Sequence, residues 1–385
     1  MTICKTTETT NRFSSMTSSG AGGGDLPCRA RYWLTAEPTF NDGNRRGETL
    51  HTIQKSMSPL FRADLMLDTG EGADVSIAAT LVAPSDASDC TTVIFAFPGG
   101  GYSRHYFDLR HQLLDGETQA EWHANRGMVF IALDPYGGGD STELAPELCD
   151  LTSAVRAAHN AVDTAIGRLR SGTLVPRLSP IPVSRAIGIG HSLGGMQLIA
   201  QQAGRATFDA VAILGFSAVH TVVPTRDGVL APHSSGDDAQ SLKEAWSGPL
   251  VDELAHIRYA YHWEDVPQVL VDEDLSVGFP VRRPSALPLW TTRTFPPFAK
   301  ICLQEGAVAR EAAQITVPVF VAVGERDVLR DLRQEATAYR KSLDITLFEI
   351  SRCAHMHNFS PARETVWNRL QSWIDGLPPE IKVAH

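Results

Sequence analysis

The sequence has no long hydrophobic run. Its longest apolar stretches, such as 92–97 and 128–133, are far shorter than the roughly 20 residues that an apolar helix needs to span a bilayer. The N-terminal residues also lack the apolar segment that is typical of a secretory signal peptide. We therefore predict no membrane association and a cytoplasmic location.

Positive charge is in the minority. The chain has 34 lysines and arginines against 44 aspartates and glutamates, which gives a formal net charge of −10. A protein with this balance is repelled by the phosphates of nucleic acids and by anionic membrane surfaces. We do not expect nucleic acid as a partner.

Cysteine is scarce and scattered along the chain. The six cysteines form no Cys-x-x-Cys pair, and no cysteines and histidines cluster at the spacing of metal ligands. A disulfide framework is typical of much smaller secreted proteins. The sequence therefore predicts free thiols and no bound metal.

The overall composition is that of an ordinary globular protein. Among the 385 residues, 43% are hydrophobic and 20% are charged, which suits a chain that buries a large core. Residues 1–27 are rich in Thr, Ser and Gly, and this composition predicts a disordered tail. After it we predict one core in two parts, 28–217 and 314–385, with an inserted region at 218–313.

The pattern of apolar residues predicts a mostly parallel sheet. Apolar runs at 61–67 and 75–82 indicate an antiparallel hairpin. From residue 91 onward, short apolar strands alternate with helical stretches, as in repeated βαβ units. The predicted strands are 92–97, 128–133, 185–190, 209–215, 317–323 and 345–350. The predicted helices are 107–126, 147–170, 193–205, 331–342 and 361–375, the last with Ser360 as its cap and Pro361 as its first residue.

The alternation of strands and helices stops between about residues 217 and 313. We interpret this region as a cap over the carboxyl edge of the sheet. Aromatic side chains are typical of the walls of apolar substrate pockets, but they also serve to pack an insertion onto a core. The aromatic residues in question are Trp246, Tyr259, Tyr261, Trp263 and Trp290.

A Gly-x-Ser-x-Gly pattern, Gly190-His191-Ser192-Leu193-Gly194, joins an apolar strand to a helix-compatible run. Such a strand-to-helix turn projects the serine Oγ above the sheet, and its strained backbone needs small neighbours. The same turn aims the next backbone N–H at the oxygen of a tetrahedral intermediate. We predict Ser192 as a nucleophile and Leu193 as half of an oxyanion hole. The alternative is a glycine-rich turn with no catalytic role.

A second glycine motif follows the strand at 92–97. Its three consecutive glycines, Gly99, Gly100 and Gly101, let the main chain approach a ligand closely. A second oxyanion donor is required in this position, and we predict that the N–H of Gly100 or Gly101 supplies it.

These two motifs resemble those of the α/β-hydrolase superfamily. The resemblance of the chain to that superfamily covers roughly residues 60–375. The Pro-Gly-Gly-Gly loop is similar to the His-Gly-Gly-Gly oxyanion loop of lipases and esterases, with Pro98 in place of the histidine. The resemblance implies an α/β fold with a mostly parallel central sheet, flanking helices and an inserted lid or cap. It also implies the chain order nucleophile, acid, histidine.

The acid and the base are predicted from that order. A serine hydroxyl needs a base to attack, and the base needs an orienting carboxylate. Asp327 follows the strand at 317–323 and resembles the family's acid, with Glu325 and Asp331 as alternatives. His355 lies 28 residues further on, after the last strand, and resembles the family's histidine. His357 is the alternative base.

Two other features receive no catalytic step. The glycine-rich stretch from Asp134 to Ser141 follows a strand and resembles a family turn that shapes the pocket. Its glycines also suggest a phosphate loop, but no Gly-Lys-Ser or Gly-Lys-Thr follows, so we predict no nucleotide cofactor. His191 is expected to pack or to form a local hydrogen bond.

The predicted triad indicates two-step acyl transfer on a small-molecule acyl substrate, without a metal or an organic cofactor. A carboxylic ester is the first expectation, and lactones and thioesters are the next. A carbon–carbon bond hydrolase of the same fold and a ligand-binding receptor that retains the fold are the alternatives.

Overall fold

The computed structural model describes residues 30–31, 59–226 apart from residue 73, 228–230, 250–275, and 287–378 apart from residue 294. The predicted disordered tail at 1–27 and Trp246 lie outside the described residues. The division of the chain into a core and an insertion at 218–313 stays a prediction.

The strands, in chain order, are β1 (Ala30–Arg31), β2 (Leu60–Asp68), β3 (Ser76–Pro84), β4 (Thr92–Phe97), β5 (Val129–Leu133), β6 (Arg185–His191), β7 (Ala210–Leu214), β8 (Val223–Thr225), β9 (Gly228–Leu230), β10 (Val319–Arg326) and β11 (Ile345–Ala354). Within the described residues, nine of them form one sheet in the order β1-β11-β10-β7-β6-β4-β5-β3-β2. Strand β3 is antiparallel to β2 and to β5, and the other neighbours in this sheet are parallel. Strands β8 and β9 form a separate antiparallel hairpin.

Helices cover both faces of the sheet. The α-helices are α1 (Gln119–Ala124), α2 (Leu151–Ser171), α3 (Leu193–Arg205), α4 (Leu250–Tyr261), α5 (Gln268–Leu275), α6 (Ala309–Ala312), α7 (Leu332–Glu335) and α8 (Arg363–Asp375). Short 3₁₀ helices span Arg104–Tyr106, Pro146–Leu148, Pro297–Leu303 and His357–Phe359. Val93 and Phe95 of β4 belong to the core cluster that contains α2 and α3, whereas Ile94 belongs to the cluster that contains α1 and α8. This alternation follows from the two-residue period of a strand.

The predicted fold class, a mostly parallel sheet flanked by helices, is confirmed. The predicted hairpin is the antiparallel pair β2 and β3, and each of the six later strand predictions overlaps an observed strand. Strands β10 and β11 continue past the predicted ends at 323 and 350 to Arg326 and Ala354. Their extra residues carry the chain directly to two of the predicted site residues.

Two helix predictions were too long. The prediction at 107–126 is wrong in its first half, because α1 begins at Gln119. Thr118 caps that helix, and Glu121 returns a hydrogen bond to the Thr118 backbone, which completes a capping box. The prediction at 331–342 is also too long, since α7 ends at Glu335 and turns follow it.

The last helix begins two residues later than predicted. Ser360 does not cap a helix that starts at Pro361, because its Oγ accepts a hydrogen bond from the Ala362 backbone in a short turn. Helix α8 then begins at Arg363.

The longest described helix, α2, is amphipathic rather than apolar throughout. Its alanines face the sheet and its arginines face solvent. No helix among the described residues has both the length and the apolar character needed to cross a membrane.

Four parallel strands place the predicted site residues at one edge of the sheet. The carboxyl ends of parallel strands meet at the same edge, where α/β proteins bind their ligands. The carboxyl end of β4 leads to the three glycines, and that of β6 leads to Ser192. The ends of β10 and β11 lead to Asp327 and His355.

Candidate active site

Ser192 occupies the sharp turn between β6 and α3. Its backbone has φ +53° and ψ −119°, a conformation that costs a non-glycine residue about 1–3 kcal/mol. The flanking glycines make the turn possible. A Cβ at Gly190 would lie 2.4 Å from the Gly194 carbonyl oxygen, and a Cβ at Gly194 would lie 2.2 Å from that of Phe97. The motif is therefore required by close packing as well as by backbone strain.

The three predicted triad residues are in hydrogen-bond contact. The Ser192 Oγ lies 2.9 Å from Nε2 of His355, and Nδ1 of His355 lies 2.7 Å from Oδ1 of Asp327. A carboxylate only accepts hydrogen bonds, so Nδ1 carries the proton and Nε2 offers its lone pair to the serine hydroxyl. His355 and Asp327 are buried, whereas Ser192 is partly open to solvent.

The carboxylate of Asp327 accepts four hydrogen bonds. Its Oδ1 accepts from His355 and from the Val328 backbone at 2.8 Å, and its Oδ2 accepts from the Gly324 backbone at 2.8 Å and from Nε2 of His357 at 2.9 Å. Burial opposes ionisation, but the charge and hydrogen bonds of His355 and His357 hold the pKa of Asp327 well below its ordinary value. Asp327 is therefore an ionised acceptor with all its lone pairs engaged.

The alternative acids lie elsewhere. Glu325 is exposed and accepts hydrogen bonds from Ser351 and from the Arg352 backbone. Asp331 caps helix α7. Neither carboxylate contacts His355.

His357, the alternative base, is buried behind the acid. It donates from Nε2 to Asp327, and its Nδ1 has no hydrogen-bond partner among the described residues. The structure therefore places it beside the predicted acid, at the carboxylate oxygen that does not bond His355.

His191 was expected to have only a local role, and the structure identifies its partner. Its Nε2 donates to the main-chain carbonyl of His355 at 2.8 Å, and the two rings are 4.9 Å apart. Burial, followed by the nearby charges of His355 and His357, lowers the pKa of His191 well below its ordinary value. A neutral His191 thus holds the backbone of the predicted base.

Gly99 and Gly100 of the predicted oxyanion loop lie close to the serine turn. Leu193 is the first residue of α3, so its N–H is at the helix end that favours negative charge. A Cβ on Gly99 would lie 3.2 Å from the Ser192 Cβ, and one on Gly100 would lie 3.3 Å from the Leu193 side chain. Gly101 follows with φ +80°. The glycine loop therefore packs directly on the serine turn.

The glycine-rich stretch after β5 lines an open groove of about 490 Å³ together with Ser103, Arg104 and part of the segment 287–293. Asp134 of this stretch accepts hydrogen bonds from the Arg104 backbone and side chain at 2.7 and 2.5 Å. Burial raises the pKa of Asp134, and the Arg104 charge opposes this shift. The stretch thus shapes a groove next to the glycine loop.

The aromatic residues predicted for the insertion have different surroundings. The Tyr261 ring lies 5.0 Å from the His355 ring. Tyr259 and Trp263 line another cavity, of about 460 Å³, and the Arg326 guanidinium stacks on both rings. Trp290 is buried. Of these four, Tyr261 is the residue that contacts the predicted triad.

The described cysteines are free, as predicted for Cys90, Cys149, Cys302 and Cys353. Burial raises the pKa of the Cys353 thiol to about 12, so the thiol near His355 is protonated at neutral pH. Within the described ranges, no group of three or more His, Cys, Asp or Glu side chains is placed to hold a metal ion.

Comparison with known proteins identifies a family whose profile matches most of the chain. The profile of a family described as the alpha/beta hydrolase family matches residues 93–366. No curated protein sequence matches the chain.

Solved structures with the same fold include enzymes of several activities. An esterase from Exiguobacterium antarcticum superposes with a TM-score of 0.56 at 15% identity, over 82% of this chain and 100% of that one. An enol-lactonase from Burkholderia xenovorans superposes with a TM-score of 0.52 at 14% identity, over 79% of this chain and 99% of that one. A 2-hydroxy-6-oxo-6-phenylhexa-2,4-dienoate hydrolase from a Rhodococcus species superposes with a TM-score of 0.52 at 13% identity, over 83% of this chain and 100% of that one. At these identities the likeness extends to the fold.

Proposed function

The chain belongs to the α/β hydrolase family, and on this basis we propose that it is a serine hydrolase that cleaves a carboxylic ester, lactone or thioester through an acyl-enzyme on Ser192. The observation that carries the proposal is the continuous set of hydrogen bonds from the Ser192 hydroxyl through His355 to Asp327, at 2.9 and 2.7 Å. These are the contacts that a nucleophile, its base and an orienting acid require.

In the first half of the reaction, His355 Nε2 takes the proton of the Ser192 hydroxyl as Oγ attacks the acyl carbon. The carbonyl π electrons move onto oxygen, and the N–H groups of Leu193 and of Gly100 or Gly101 stabilise that oxyanion. When the carbonyl reforms, the bond to the leaving group breaks. His355 then gives its proton to the departing alkoxide or thiolate.

In the second half, a water molecule replaces the leaving group. His355 takes a proton from the water, and the hydroxide attacks the acyl carbon of the ester on Ser192. Collapse of the second tetrahedral intermediate releases the carboxylic acid and returns the proton to the Ser192 Oγ. Asp327 keeps its negative charge throughout and stabilises the imidazolium that forms twice per cycle.

This chemistry uses only the side chains and backbone groups of the chain, and it implies a small-molecule acyl substrate. The partly open position of Ser192 at the carboxyl edge of the sheet supports access for such a substrate. A cytoplasmic location and the absence of nucleic-acid partners remain predictions from the sequence.

The nucleophile is tested by labelling and turnover together. A fluorophosphonate probe is expected to label the wild-type protein once, at Ser192, and to block hydrolysis of a short-chain p-nitrophenyl ester. Ser192→Ala is expected to lose both labelling and turnover. Ser184→Ala, at an exposed serine on the opposite end of β6, serves as the matched control and is expected to retain both. Full esterase activity in Ser192→Ala would refute the proposal.

A substrate series then separates the bond classes. Purified protein is assayed against p-nitrophenyl esters of increasing acyl length, lactones and thioesters. Loss of a chromophoric dienone without ester turnover would instead assign carbon–carbon bond hydrolysis. Tight binding of a small molecule with no turnover of any activated ester would assign a receptor.

A further inference from the structure

Asp274 is a fully buried carboxylate at the carboxyl-terminal end of helix α5. Its Oδ2 accepts hydrogen bonds from the Tyr102 hydroxyl at 2.8 Å and from Nε2 of His262 at 2.9 Å. Its Oδ1 accepts from Nε1 of Trp290 at 3.0 Å. A buried carboxylate is tolerated only when its oxygens are satisfied, so these contacts fix the relative positions of their donors.

One of these donors follows the predicted oxyanion loop directly. Tyr102 is the residue after Gly101, and its backbone N–H donates to the Gly99 carbonyl at 3.1 Å, which closes the turn that contains Gly100. The Tyr102 ring is 1% exposed and packs on Tyr106, with the ring centres 5.7 Å apart. The buried Tyr102 side chain therefore restricts the movement of the peptide groups just before it.

The main chain around Tyr102 is bonded to the segment that carries Trp290. The Ser103 N–H donates to the Trp290 carbonyl at 2.9 Å, and the Thr292 N–H donates to the Gly101 carbonyl at 2.9 Å. Asp274 accepts from the side chains of both Tyr102 and Trp290. The carboxylate thus joins the two segments at the point where their backbones already pair.

A second buried carboxylate holds the other end of the loop. Asp134, at the end of β5, accepts from the Arg104 backbone and from its guanidinium. The chain from Tyr102 to Arg104 is therefore held between Asp134 of the sheet and Asp274 of the predicted insertion.

We propose that Asp274 is a positioning residue, which holds the main-chain N–H groups of Gly100 and Gly101 in place relative to Ser192 by means of Tyr102. The inference rests on the proposed acyl-transfer function. Oxyanion donors stabilise the transition state more than the bound substrate, so their displacement lowers kcat and leaves KM nearly unchanged. A shift of 1 Å in such groups lowers the rate by about 100-fold.

Two variants test the contact from its two ends. Tyr102→Phe removes the hydroxyl that reaches Asp274 and keeps the ring that packs on Tyr106. Asp274→Asn keeps the shape of the side chain and replaces one acceptor oxygen with a donor. Both are expected to lower kcat per titrated active site by about 10- to 100-fold, with KM within about threefold of wild type. Asp272→Asn is the matched control, since Asp272 is an exposed acid of the same helix that pairs with Arg258, and it is expected to change neither parameter.

A boronic acid that forms a tetrahedral adduct on the serine supplies the second readout. Its affinity is expected to weaken by the same factor as kcat in Tyr102→Phe and in Asp274→Asn. A purely structural role would lower the melting temperature and the number of titratable sites, but not kcat per site. Unchanged kcat and boronate affinity in Tyr102→Phe, or a rise in KM at constant kcat, would overturn the inference. Failure of the proposed function would look different, because the wild-type protein itself would neither hydrolyse esters nor bind the boronate.

Discussion

The replacement Asp327→Asn tests the electrostatic part of the proposed mechanism with almost no change in shape. Asp327 accepts two hydrogen bonds at each oxygen, one from a backbone N–H and one from a histidine. An asparagine has one acceptor oxygen and one NH₂ donor. In either orientation of the amide, the NH₂ group faces a backbone N–H, of Val328 or of Gly324, that can no longer be satisfied.

The orientation with the NH₂ group toward His355 is the more damaging one for catalysis. His355 then has to present Nδ1 as an acceptor, so its proton moves to Nε2 and the lone pair that accepts the Ser192 proton is lost. In the other orientation His355 keeps its tautomer, but the imidazolium formed during the reaction no longer has a carboxylate at 2.7 Å. The known precedent for this exchange in a serine triad is a loss of about 10⁴-fold, which corresponds to about 5 kcal/mol of activation free energy.

The assay is kcat for the best p-nitrophenyl ester, normalised to the folded fraction. Leaving one backbone N–H unsatisfied costs about 1–3 kcal/mol of stability, so the melting temperature must be measured in parallel. Glu325→Gln is the matched control, because Glu325 lies two residues away and bonds Ser351 and Arg352 instead of His355. We expect that control to remain within about threefold of wild type. A loss under tenfold in Asp327→Asn, or a larger loss in Glu325→Gln, would refute the assignment of the acid.

Three further predictions concern the base, the serine turn, and His123, a fully buried histidine of α1 that lies 2.8 Å from the Gln371 side chain. His355→Ala is expected to lower kcat by several powers of ten. His357→Ala is expected to lower kcat by less than about tenfold, because two backbone N–H groups still hold the Asp327 carboxylate. If His357→Ala caused the larger loss, the base would be His357 and not His355. Gly194→Ala is expected to abolish soluble expression or activity, since its Cβ would lie 2.2 Å from a carbonyl oxygen, and normal turnover would contradict the turn geometry. Burial lowers the pKa of His123 from 6.5 to about 4. As the pH falls below 6.5, His123 is protonated in the unfolded chain but not in the folded chain, and this difference favours unfolding. From pH 7 to pH 5 this histidine alone costs about 2 kcal/mol of unfolding free energy. His191, whose pKa burial also lowers, destabilises wild type and variant alike over this range, so denaturant titration should find a loss that is smaller by about that amount in His123→Gln, and an equal loss in both proteins would contradict the prediction.

The fold and the candidate triad were predictable because their signals are local. An apolar strand followed by a glycine-flanked serine, and later strands followed by an acid and a histidine, can each be read within about ten residues. Parallel strands then bring their carboxyl ends together without any further information. The order of Ser192, Asp327 and His355 along the chain was enough to predict which side chains meet.

Both helix starts that differ from the prediction are set by a local hydrogen bond of a Thr or Ser side chain. Thr118 and Glu121 have the spacing of a capping box, which marks the start of α1 at Gln119, twelve residues after the predicted start at 107. For the last helix, a serine followed by proline is compatible with either a cap or a turn. In the structure the Ala362 N–H donates to the Ser360 Oγ, which forms a turn, and the helix begins at Arg363.

The surroundings of the triad could not be predicted from the sequence. Tyr102 and Asp274 are separated by 172 residues, and Asp274 has no motif around it. The hydrogen bond from His191 to the His355 carbonyl also spans more than 160 residues. The contact of Tyr102 with Asp274 depends on how helix α5 packs on the core, and no periodicity in the sequence specifies that packing.

The hydrogen bond from His191 to the His355 carbonyl has a mechanical consequence. His191 and Ser192 are consecutive residues, so the ring that holds the backbone of the base is covalently next to the nucleophile. A fluctuation that moves the loop after β11 must either break this bond or carry the serine turn with it. We therefore expect thermal motion at this edge of the sheet to displace nucleophile and base together, so that the separation of Ser192 Oγ and His355 Nε2, 2.9 Å in the structure, varies less than the position of either residue.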